Sequence, residues 1–110
     1  MARRVRNDKN FNRDIASRVR WLAQHRVPEE RASLRAALAA FSERVAPHPG
    51  IGEEIERRGT HSYRVFTIGR HLPYLVWYLY DIDDPTGPVS LLMLLHEAQD
   101  RERFDADQFD

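Results

Sequence analysis

Cysteine is absent from this 110-residue chain, so a disulfide framework and a thiolate metal site are both excluded, although the absence is compatible with either redox compartment. No stretch approaches the roughly 20 consecutive apolar residues that a membrane span needs. The opening MARRVRND has basic residues with no apolar run behind them, which excludes a secretory signal. Linkers, internal repeats and low-complexity tracts are also missing. The default expectation is one cytoplasmic domain over residues 1–104, with residues 105–110 as a loose acidic tail containing Asp105, Asp107 and Asp110.

Net charge is also lacking, but only in the sum. Residues 1–50 carry eleven basic and five acidic side chains, a balance of +6, whereas residues 51–110 carry six and twelve, a balance of −6. Such a split can mark a face for phosphates. A solvated arginine-rich helix surface explains it more simply, so charge alone names no partner.

What is present is a change of period. Phe11, Ile15, Val19 and Leu22 recur at helical spacing and predict an amphipathic helix from about Asp8 to Gln24. Pro28 with Glu29 and Glu30 reads as the first turn of a second helix, because proline has no N–H to leave unpaired there and carboxylates suit the positive end of the helix dipole. Leu34, Leu38, Phe41 and Val45 form its apolar face, so two helices joined by a few residues fold back as a hairpin. APHPGIG, from Ala46 to Gly52, ends the second helix.

The remainder reads as strands. Arg3 to Asn7 is a short first strand. Ile51 to Arg58, charged and poor in apolar residues, is an edge. Tyr63 to Ile68, Tyr74 to Tyr80 and Val89 to His96 are strong strands joined by short turns, which makes an antiparallel meander the simplest topology. Both faces of Tyr74 to Tyr80 are apolar, which places that strand centrally. The Tyr74, Tyr78 and Tyr80 ladder could stack bases, but packing beneath the helices accounts for it more cheaply. The fold class is therefore α+β, a helical hairpin packed on a small antiparallel sheet, in the order β-αα-βββ(β).

Four motifs in this order, PHPG at Pro47 to Gly50, YRVF at Tyr63 to Phe66, VWYLYD at Val76 to Asp81 and LLMLLHEAQDR at Leu91 to Arg101, resemble the ParE/RelE toxin superfamily over about Arg3 to Phe104. The resemblance implies the toxin of a bacterial type II toxin–antitoxin pair, acting by one of two mechanisms. ParE-like members bind DNA gyrase and trap its cleaved-DNA complex. RelE-like members cut messenger RNA on the ribosome. A third reading is an inactive relative that only binds its partner.

RNA cleavage needs a base, an acid and cations around the phosphate. By the resemblance, Arg64 stands at the strand-arginine position, Arg57 and Arg58 replace lysines, and His96 closes the last strand. Arg58, Arg64 and His96 are thus the candidate catalytic set, and Arg57, Arg58, Arg64, His96 and Arg101 the target-facing set. The chain departs from the ribonuclease pattern where Glu53, Glu54 and Glu56 surround the basic pair and where Ala98 and Gln99 follow the terminal histidine. This favours the gyrase-binding reading.

Arg64 is as readily a structural arginine paired with Asp81 or another sheet carboxylate. His96 is more simply a strand-end histidine bonded to backbone or to a carboxylate such as Asp100. His25, His48, His61 and His71 fall in separate turns without ligand spacing, so neither a metal nor another cofactor is expected. The resemblance further implies a cognate, ParD-like antitoxin lying across the hairpin and along the sheet, with Trp21, Leu34 and Leu38 as exposed anchors. Dimers, or hetero-oligomers with the antitoxin, are compatible with this reading.

Overall fold

The computed structural model describes residues 2–25, 28–69 and 74–96. They form β1 (Val5–Asn7), α1 (Lys9–Gln24), α2 (Pro28–Val45), a 3-10 turn (Pro49–Ile51), β2 (Glu53–Arg58), β3 (His61–Ile68), β4 (Tyr74–Asp81) and β5 (Val89–His96). The α+β class and the order of elements are those expected from sequence. Arg101 and the acidic tail lie outside the described residues.

Local chemistry sets the helix starts. The Asp8 carboxylate accepts the Asn10 N–H at 2.9 Å, an N-cap that satisfies a donor with no partner inside the helix. Glu29 and Glu30 occupy the first turn of α2 and Arg44 its last, charges matched to both ends of the dipole. Ile51 belongs to the 3-10 turn and not to the edge strand.

The strands lie in the order β1-β5-β4-β3-β2. From β2 to β5 the sheet is the expected antiparallel meander. β1 adds a parallel pairing, Val5 opposite Val89 and Asn7 opposite Leu91, so the sheet is mixed. Two bulges reset the faces. One falls between Glu54 and Glu56 in β2 and turns Ile55 outward. The other leaves Leu92 between the paired residues Leu91 and Met93 of β5.

The core is built on both faces of the sheet. Beneath the hairpin, Phe11, Leu22, Leu34, Phe41 and Val45 meet Ile68, Tyr74, Val76, Tyr78, Val89, Leu91 and Leu94. Tyr63, Val65, Leu75, Trp77, Leu92 and Leu95 form a second buried cluster on the opposite face. The tyrosine ladder is therefore packing, with Tyr74 and Tyr78 almost wholly buried. Central β4 is buried along nearly its whole length, as two apolar faces require. No helix among the described residues is long and apolar enough to cross a membrane.

Candidate functional site

The PHPG segment is fastened to the sheet by polar side chains. Tyr78 Oη accepts the Gly52 N–H at 2.8 Å and donates to the Pro49 carbonyl at 2.6 Å. Arg64 Nη1 donates to the carbonyls of Gly50 and Gly52, and its Nε to Ser62 Oγ at 3.0 Å. Ser62 in turn donates to Glu54 Oε2 at 2.6 Å, and Arg57 donates to the same oxygen through both Nε and Nη2. Hydrogen bonding from Ser62, then from Arg57, holds the Glu54 carboxyl below its ordinary value. Burial pushes the Tyr78 phenol up.

Arg64 is thus a clamp across β2, β3 and the glycine loop. Its sheet carboxylate is Glu54, at 3.7 Å, one strand away in the direction opposite to Asp81. Arg57 pairs with Glu54 and Arg58 with Glu56, at 2.8 and 3.3 Å. Glu54 and Glu56, which precede the basic pair in sequence, therefore engage it in space.

The three candidate catalytic residues do not converge. Arg58 is opposite His61, which is opposite Asp81 at one end of β4, whereas His96 is opposite Tyr74 at the other end. At ~3.4 Å per residue and ~4.8 Å per strand, Arg58 and His96 are more than ~20 Å apart along the sheet. Paired residues also share a face. Arg64, opposite Tyr78, faces the helices, while Arg58 shares the face of Tyr63 and Val65. His96 faces the hairpin side, edge-on to Tyr74 with centroids 5.3 Å apart.

His96 instead lines a cleft of about 390 Å³ between α1 and the end of β5, together with Asp14, Ser17, Arg18, Trp21, Tyr74, Leu94 and Leu95. Three elements, α1, β4 and β5, line it, and α2 is tied to its wall. Arg18 on α1 donates to Tyr74 Oη at 2.9 Å and lies 3.5 Å from Glu30 on α2, to which Tyr74 donates at 3.1 Å. Burial outweighs the Arg18 contact and raises the Tyr74 phenol. Trp21, a lining residue that is 42% exposed, is stacked on His25, and the Arg18 guanidinium lies 4.4 Å from its ring centroid. β1 covers only the first three residues of β5; farther along, Asp14 Oδ2 accepts the Leu94 N–H at 2.9 Å.

Of the expected anchors, Trp21 is exposed and Leu38 is half-buried. Leu34 is only 2% exposed and is a core residue, because the inward face of α2 is centred on it. Asp14, Arg18, Glu30 and Tyr74 are absent from the sequence-based set, although Asp14, Arg18 and Trp21 recur at i, i+4 and i+7 along one side of α1, a stripe visible in the sequence. Among the described residues no three His, Cys, Asp or Glu side chains could jointly hold a metal ion.

These features define a small α+β protein of the hairpin-on-sheet class, the architecture that the ParE/RelE resemblance implies. Residues 5–101 match the family model for the ParE toxin of the type II toxin-antitoxin system, parDE, and the chain belongs to that family. An antitoxin partner is implied by membership. A comparison with curated proteins finds no match.

Proposed function

We propose that this chain is a ParE toxin that inhibits DNA gyrase by binding, and that a cognate antitoxin neutralises it in the cytoplasm. The observation that carries the reading is the dispersal of Arg58, Arg64 and His96 over both faces and opposite ends of the sheet. Cleavage of RNA requires base, acid and phosphate-binding cations around one phosphorus, and the guanidinium of Arg64 is occupied by the glycine loop and Glu54. A binding toxin has no such requirement. The cleft beside Trp21, along the part of β5 that β1 does not cover, offers the antitoxin a groove.

The test is incubation of supercoiled plasmid with gyrase, ATP and the purified protein, followed by denaturation of the enzyme. Accumulation of linear plasmid is expected. Unchanged supercoiling with no linear product at saturating folded protein overturns the proposal, and cleavage of messages on translating ribosomes would replace it with the RelE-like reading.

A further inference from the structure

The charge split in the sequence acquires a shape in the fold. Lys9, Arg13, Ser17, Arg20 and Gln24 are all exposed, and at 3.6 residues per turn they fall within an arc of ~80° on α1. Phe11 and Leu22, the buried residues of the helix, point the opposite way. Both carboxylates of this segment are engaged elsewhere: Asp8 caps the helix and Asp14 holds the Leu94 N–H. Among the described residues no ion pair engages Lys9, Arg13 or Arg20. The contrast with β2 is direct, since Arg57, Arg58 and Arg64 each have a carboxylate partner there.

We infer that the outward stripe of α1 is a contact surface for the phosphate backbone of duplex DNA. Lys9 to Arg20 spans ~16 Å at 1.5 Å per residue, and a duplex presents one charge per ~1.7 Å of axis, so the three cations have several phosphates within reach. Exposed Ala16 and the short Ser17 leave the surface between the cations low enough for a rigid rod to approach. A protein partner would be expected to find an apolar or aromatic anchor at the centre of its contact. The stripe has none, and Trp21 lies to one side in the cleft wall. Backbone contact requires no anchor because it is driven by counterion release. The biological role of this contact rests on the gyrase reading, in which the trapped complex contains DNA, but the contact itself is measurable without gyrase.

The experiment is fluorescence anisotropy of a labelled 30-base-pair duplex titrated with the full chain, without gyrase, at several salt concentrations. Binding should be sequence-independent, and its affinity should fall about 40-fold between about 50 and about 200 mM salt, the slope expected for three phosphate contacts. The triple variant K9Q/R13Q/R20Q should lose most of that salt dependence and at least about tenfold in affinity at the lower salt. R57Q/R58Q should bind within about twofold of the parent. Matching circular dichroism spectra establish that each variant is folded. Absence of binding at low salt overturns the inference, as does a triple variant that binds like the parent. A glutamate-rich peptide of equal charge that binds as tightly as the duplex also overturns it, assigning the stripe to an acidic protein.

Discussion

One phenol oxygen joins the glycine loop to the middle of the sheet. Replacing Tyr78 with Phe keeps the ring under Phe41 but leaves the buried Gly52 N–H and the Pro49 carbonyl without this partner. A loss of about 1–3 kcal/mol is expected, the cost of stranding buried polar groups. Gly52→Ala should cost a similar ~1–3 kcal/mol for a different reason: its Cβ would lie 2.7 Å from the Val65 carbonyl oxygen and 2.8 Å from Tyr78 Oη, and the first of these is backbone that cannot swing aside. Urea midpoints read both, and a midpoint for either variant equal to the parent's contradicts the clamp. Arg64 was legible in the sequence as an arginine with two possible lives, partner of a sheet carboxylate or phosphate ligand. Its partners could not be read there, because Glu54 and the carbonyls of Gly50 and Gly52 reach it only through the register between β2 and β3.

Elements show where sequence reading holds and where it stops. Helical spacing and alternation locate both helices and the strands β3, β4 and β5, since each carries its own apolar period. β1 has little to identify it beyond Val5, and its parallel pairing with β5 is a long-range contact with no local signature. The bulge at Leu92 is equally silent: it moves the helix-facing positions of β5 from Val89 and Leu91 to Leu94, and so turns His96 toward α1. That shift assembles the cleft, which explains why its stripe on α1 was visible in the sequence while the opposite wall was not. Beyond β1, Asp14 takes the place that a neighbouring strand's carbonyl would occupy at Leu94. Asp14→Ala should therefore speed hydrogen exchange at the Leu94 amide and cost about 1 kcal/mol, with Asp14→Asn, which keeps an acceptor, losing less. An unchanged exchange rate in the alanine variant would remove Asp14 from that role.

At the scale of the whole molecule, ionisation bounds the pH range of stability from both sides. Glu54 is lowered from an ordinary 4.5, chiefly by Ser62, and Asp81 from 3.8, chiefly by Thr60. Groups lowered on folding stabilise fully above their ordinary values, and that contribution is lost as pH falls through the still lower folded ones. Tyr74 and Tyr78 are raised from 10.0 by burial, so their contribution is complete below that pH and is lost as pH rises through the folded values. Thermal melts across this range should show a falling Tm below about pH 4.5 and again above about pH 10, with Glu54→Gln flattening the acid arm. An acid arm just as steep in that variant would show that Glu54 has no part in it.

β1 lies at residues 5–7 and its partner at residues 89–91, so β1 must wait for β5, the last of the described strands, before it has a strand to pair with. During synthesis, therefore, neither the parallel seam nor the floor on which α1 rests can exist until β5 has left the ribosome. The parallel seam and the cleft of this ParE-family chain come into being late and together, and a message broken before the codons for β5 would yield a polypeptide with the helices but without the strand on which α1 rests.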